Sequence, residues 1–359
     1  MGRLLLFLLL FASHCCPKTN EDKRPRLELL LADNTYQLTG VAVSKTGRLF
    51  TNYPYWSDSY RYAVVEVFPN YRTDPYPDIS MNSWKPGDKG LDKWVCVQAV
   101  YVDDNNMLWV VDAAAPKMQQ VIGNSHKLVK INLATNKVER IYPFTGIGPR
   151  SYINDVRVDT QRGYAYLTNS KEGGIVVVNL NTGAVRQLLQ HHYSTHSDST
   201  YHFIIDGREL KKNGQVFKGQ SDGIALSPDR QWLYYKPLTD DKLYRIQTSY
   251  LRDTTLTETA LAAKVDDLGH FTATDGMVFD KAGNLYLGDM QHYRIMKITP
   301  DLKMTELLRD DRLIWPDSYS VSDDGYLYIS CSQIQKQPDF NNGVDKRNAP
   351  YTIYRVKLP

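Results

Sequence analysis

One short phrase recurs six times along the chain. It consists of a polar residue, a small residue, alternating apolar positions, a turn carrying Asp, Asn or Gly, and a second apolar run. The copies open at Thr39-Gly40, Gln98-Ala99, Asn154-Asp155, Asp222-Gly223, Asp275-Gly276 and Asp317-Ser318. They reach their second runs at Leu49-Phe50, Leu108-Trp109, Tyr166-Leu167, Leu233-Tyr234, Leu285-Tyr286 and Leu327-Tyr328. Apolar side chains fall at every second position, as in Val156 and Val158 and then Tyr164 and Tyr166, which is the period of a pleated strand. The breaks are tight-turn sequences such as Lys45-Thr46-Gly47 and Asp323-Asp324-Gly325, so each copy opens with a hairpin. Self-similarity at roughly 40 to 70 residues, built from strands, marks radial β repetition.

A third strand signal follows most hairpins, as in Lys127–Ile131, Gly174–Val178, Lys242–Ile246 and Arg294–Ile298. A fourth follows at Val138–Tyr142 and Met304–Leu308. The expected fold class is therefore all-β, a six-bladed β-propeller with four antiparallel strands per blade. No blade buries both of its faces alone, so neighbours must stack in a closed ring. The leftover strand at Leu27–Leu31 is expected to complete the blade that ends in Tyr354–Leu358. Residues 17–359 then form one propeller domain.

Residues 1–16 read as an export signal: Met1-Gly2-Arg3 is positive, Leu4 to Ala12 is apolar, and Ser13-His14-Cys15-Cys16 is a polar end. A cysteine just after the apolar run resembles a bacterial lipoprotein cleavage box. This predicts free secretion or a lipid anchor on Cys15 or Cys16 to a bacterial envelope membrane. No other stretch is long and apolar enough for a transmembrane helix. The formal net charge of +3 and the lack of a long basic run argue against a nucleic-acid partner. The 25 tyrosines suit packing between strands. Cys96 and Cys331 sit in strand sequences, which fits small buried residues or, after export, a disulfide between them. The chain is expected to be a monomer.

Aligning the copies places Thr39, Gln98, Asn154, Asp222, Asp275 and Asp317 in one column, at the start of the innermost strand of each blade. In a propeller these positions converge at one mouth of the central channel. Clustered carboxylates repel, which raises pKa values unless a cation or a positively charged ligand sits among them. Oxygen-only ligation favours calcium, magnesium or manganese. The alternative is local: an Asp before Gly can simply bond nearby backbone amides. Tyr152 and the loop Asn52–Trp56 are candidate pocket walls or packing residues. His192 and His196 have the spacing of a helical metal pair but lie in a polar stretch. The segment Gln190–Gln220 is long enough to cover one face of the ring. No serine elbow, phosphate-binding glycine loop or His-Glu metal motif is present.

Gly47–Phe50, Leu108–Asp112, Lys127–Leu133, Ser221–Asp229, Leu233–Leu238 and Trp315–Ser318 resemble, in order, the major royal jelly protein and yellow family. The resemblance implies an exported six-bladed propeller whose relatives bind small amines or other ligands in the channel, the leader pointing to a bacterial-type member. Asn154–Asp159 and Thr274–Asp280 resemble signature strands of the gluconolactonase and senescence-marker propellers. That second likeness implies a metal held by Asp275 and Asp222, Asp222 standing where an Asn is usual, with Asn154 near substrate or metal-bound water. Thr39 departs from it, standing where that family has a Glu ligand. The leading expectation is a small polar or cationic molecule bound over Asp222, Asp275 and Asp317. The alternative is a divalent-metal-dependent hydrolase of lactones or esters in which Asp222 and Asp275 are catalytic. A quinone isomerase and a pure scaffold are further readings.

Overall fold

A computed structural model describes residues 25–359; the expected leader, with Cys15 and Cys16, lies outside the described residues. Six four-stranded antiparallel sheets form the six blades, and two small two-stranded hairpins supplement them. The innermost strands are Val41–Val43, Val97–Val102, Ile153–Asp159, Ser221–Leu226, Met277–Phe279 and Pro316–Val321. The second strands of the predicted hairpins follow at Leu49–Asn52, Met107–Asp112, Tyr164–Asn169, Trp232–Pro237, Leu285–Asp289 and Tyr326–Cys331. The ring closes as expected: Glu28–Asp33 pairs antiparallel with Tyr351–Lys357, with Glu28 opposite Arg355 and Asp33 opposite Tyr351.

The two-residue period explains the stacking. In the second strand of blade 2, Leu108 and Val110 pack toward blade 1 with Phe50 and Val64. Their alternates Trp109 and Val111 pack toward blade 3 with Val156 and Leu167. In blade 3, Val176 and Val178 face back while Ile175 and Val177 face forward onto Tyr235 and Ile246 of blade 4. The same alternation joins blade 4 to 5, 5 to 6 and 6 to 1. Each blade is thus buried on both faces, which is why these strands read as near-continuous apolar runs. Deleting a whole core side chain here costs about 2–5 kcal/mol.

The small residue of the repeated phrase has a steric cause. A Cβ on Gly223 would stand 2.5 Å from the backbone oxygen of Asp275, and one on Gly276 would stand 2.5 Å from that of Asp317. The Gly276 N–H instead donates to the Asp317 carbonyl at 2.7 Å. Successive inner strands touch backbone to backbone near the axis, and this places the column side chains together.

The segment between blades 3 and 4 lies over the mouth at which the column sits. It carries hairpins Ile204–Ile205 with Arg208–Glu209 and Lys211–Lys212 with Gln215–Val216. Phe203, Ile205 and Leu210 pack on Leu238, Ala273, Trp315 and Phe340 of later blades. The Asn213 N–H donates to the Asp339 carbonyl at 2.7 Å, which ties the cover down. Among the described residues, no helix is long and apolar enough to cross a membrane.

Candidate functional site

The column converges and then divides into two halves. In the acidic half, Asn154 Nδ2 donates to Asp222 Oδ1 at 2.5 Å. Asp222 hydrogen-bonds Asp275, and Asp275 Oδ2 accepts from Trp315 Nε1 at 2.7 Å. Asp317 Oδ1 accepts from the Ser318 hydroxyl at 3.1 Å, while its Oδ2 is buried with no hydrogen-bond partner. All four side chains are buried.

The other half is neutral and structural. Thr39 Oγ1 donates to the Gln98 carbonyl at 2.9 Å and accepts from Asn52 Nδ2 at 2.8 Å; it clamps blade 1 to blade 2. Gln98 Oε1 accepts from the Tyr152 hydroxyl at 2.9 Å, and that hydroxyl accepts from Trp56 Nε1 at 2.7 Å. Tyr152 is fully buried, packed with Ala113 and Ala115, with Trp56 against it. Of the expected pocket walls, these two form one hydrogen-bonded packing unit.

Three charged groups at this mouth escaped the sequence reading. Asp155 is buried in blade 3, beside the column, and its charge acts on Asp222, Asp275 and Asp317. Arg157, two residues on along the same strand, reaches across the channel. Its Nη2 donates to the Met277 carbonyl of blade 5 at 2.7 Å and lies 3.9 Å from Asp155 Oδ2. Lys236 is wholly buried; its Nζ donates to the carbonyls of Pro237 and Asp240 at 2.9 and 2.6 Å. The signal for the first two was present. At the second and fourth positions of the phrase the other blades carry Gly, Ala or Ser and Ala, Tyr, Val or Ser, whereas blade 3 alone places charges there.

Four buried carboxylates therefore sit with two buried cations. Burial is the main force on the four carboxyls and on Lys236. It raises the Asp155 carboxyl, and it lifts Asp222 and Asp317 well above the carboxylate range, reinforced in both by the neighbouring Asp275. Asp275 is pushed up to about 7 by burial, with Trp315 and Asp222 opposing through hydrogen bonds. Burial lowers the Lys236 amine to about 8. Asp275, near 7, is the group from which an arriving cation would displace a proton at neutral pH.

The metal readings find little geometric support. Among the described residues, no group of three or more His, Cys, Asp or Glu side chains is arranged to hold a metal ion. Asn154 and Trp315 point N–H groups at the two carboxylates that the lactonase likeness makes metal ligands. His192 and His196 flank a 3₁₀ turn, and their ring nitrogens bond Ser194 Oγ and the Gln190 carbonyl. Cys96 and Cys331 are buried free thiols, each raised by burial.

Comparison with known proteins agrees with this architecture. Residues 95–359 match the family model of the major royal jelly proteins. The chain is 25% identical to major royal jelly protein 3 of Apis mellifera over 225 residues, covering 60% of this chain and 39% of that protein. It is 22% identical to protein yellow of Drosophila melanogaster over 227 residues, covering 59% and 41%. The chain thus spans about two fifths of the length of these relatives. Among solved structures, a gluconolactonase of Xanthomonas campestris superposes with a TM-score of 0.55 at 14% identity, covering 93% of this chain and 90% of that one, which shows a shared fold. With a ring of six blades and a match across most of its length, the chain belongs to the major royal jelly protein family.

Proposed function

We propose that this propeller is an exported protein that binds a small, positively charged organic molecule at the acidic mouth of its channel. The observation that carries the reading is the imbalance of four buried carboxylates against two buried cations, with Asp317 Oδ2 buried and unpaired. An ammonium group seated there would accept no bonds and would donate to carboxylates, as the site requires. The cover formed by residues 190–220 would exclude water and so strengthen each charge interaction. Export is supported by the sequence of residues 1–16, with Cys15 or Cys16 as the place for a lipid anchor, and the protein is read as a monomer.

The test is a thermal-shift titration with 2-phenylethylamine, its neutral analogue 2-phenylethanol, and calcium. A ligand that binds only the folded state must raise the melting temperature. The reading expects a shift with the amine, none with the alcohol, and loss of the amine shift in Asp317→Asn. Equal shifts with amine and alcohol would overturn it. A calcium-only shift would favour the second reading, a divalent cation on these same oxygens with lactone or ester hydrolysis as the activity; the Asn154 and Trp315 contacts to Asp222 and Asp275 would then have to be exchanged for metal bonds.

A further inference from the structure

The opposite end of the channel is a different site. A cavity of about 630 Å³ opens there, walled by the last residue of the phrase in every blade: Val43, Val102, Val158, Leu226, Phe279 and Val321. Its lining includes Arg157 and none of the four acidic-mouth carboxylates. Arg157 thus stands between the two ends, pairing with Asp155 on one side at 3.9 Å and facing the cavity on the other. Its Nε is buried with no hydrogen-bond partner, and the Tyr101 ring, which also lines the cavity, lies 5.3 Å from its guanidinium carbon. An orphaned N–H on a buried cation is costly unless something accepts from it.

The acidic groups near this rim are already engaged. Asp103 accepts from Trp109 Nε1 at 2.7 Å, Asp104 pairs with Arg230, Asp280 accepts from the Tyr286 hydroxyl at 3.0 Å, and Asp323 pairs with Lys281 at 2.7 Å. None is placed to satisfy Arg157. An apolar collar of six side chains with one under-used guanidinium at its foot has the form of a site for an amphipathic anion. The volume falls in the range of small-molecule pockets. We infer that this mouth binds a small apolar monocarboxylate, its carboxylate on Arg157 and its body within the collar. A monoanion suits the site because Arg157 is the one buried cation of its lining: Arg230 and Lys281 pair with Asp104 and Asp323, Lys357 donates to the Asp324 carbonyl, and Lys45 is exposed. The carboxylate would pair with the Arg157 guanidinium where it lines the cavity, and the body would cover Tyr101 and Phe279.

The experiment is isothermal titration of the full chain with 3-phenylpropionate, with 2-phenylethylamine as the cationic control. The wild-type protein is expected to bind the acid. Arg157→Gln is expected to weaken it by about tenfold or more, the scale of a lost charge-assisted hydrogen bond. Because Arg157→Gln also removes the bridge to Met277, a second variant leaves that bridge intact. Val278→Trp fills the cavity from a partly exposed wall position and is expected to abolish acid binding while leaving the response to the amine unchanged. Failure of the wild type to bind the acid, or undiminished binding in either variant, overturns the inference. Loss of amine binding alone would refute the acidic-mouth reading and leave this one standing.

Discussion

Replacing Asp275 by Asn tests the electrostatics of the acidic mouth with almost no change of shape. Asn Oδ1 can go on accepting from Trp315 Nε1, and its amide can donate to Asp222, so both partners are kept, the second with the direction of the wild-type hydrogen bond reversed. The wild-type carboxyl moves from an ordinary value of 3.8 to about 7 on folding. Because the folded value is the higher, stability is fully present below about pH 4 and is lost as pH rises through 7. Three units correspond to roughly 4 kcal/mol. Weakening the Trp315 bond from charged to neutral acceptor returns about 1 kcal/mol of that. The variant is therefore expected to exceed wild type by about 3 kcal/mol at pH 8 and to match or fall slightly below it at pH 4. In a chain of this length that is a rise of about 3–6 °C in melting temperature at pH 8. Differential scanning fluorimetry from pH 4 to 9 reads it directly. Melting curves for the two proteins that run parallel across the range would show that the carboxyl is not perturbed, and the argument from crowded buried charge would fail.

Three further outcomes test the frame that holds the site. Gly276→Ala drives a Cβ against the Asp317 carbonyl, 2.5 Å away; a loss of about 1–3 kcal/mol is expected in denaturant unfolding. Leu167→Ala, at the fully buried interface of blades 2 and 3, is expected to lose about 2–5 kcal/mol with unchanged strand content by circular dichroism. Lys127 is wholly buried and donates to Asp112 at 2.7 Å and to the carbonyls of Gly90 and Lys93 at 2.7 and 2.8 Å. Lys127→Met leaves Asp112 charged with no cation beside it, held only by the backbone N–H groups of Val95, Cys96 and Ala114, and should lose about 3–5 kcal/mol, while Lys127→Met combined with Asp112→Asn should recover part of it.

The blades were legible because their physics is local. Strand period, turn residues and the small second position of the phrase all lie within one copy, and the closing strand at Glu28–Asp33 was visible as an unpaired apolar run. The site was legible only in part. Asn154, Asp222, Asp275 and Asp317 do meet, but the roles of Thr39 and Gln98 depend on Asn52 and Tyr152, which approach from other strands and blades. A column of aligned residues does not say whose hydrogen bonds are already spoken for. Asp155 and Arg157 stand outside the shared first position that defines the column, and their departure from the pattern in blade 3 is the signal that marks them. The cover over the acidic mouth was foreseen as a long segment; which face it would take depends on Phe203, Ile205 and Leu210 finding Trp315 and Phe340, a match that no local pattern encodes.

The most direct measurement is the proton balance of ligand binding. A cation entering a cluster that includes a carboxyl poised near 7 must drive protons out. Titrating 2-phenylethylamine into the protein at pH 7, in two buffers of different ionisation enthalpy, counts those protons. Net release, with affinity that tightens as pH is raised from 6 to 8, is the predicted result. Binding that exchanges no protons and holds the same affinity across that range would contradict the assignment of the acidic mouth as a cation site.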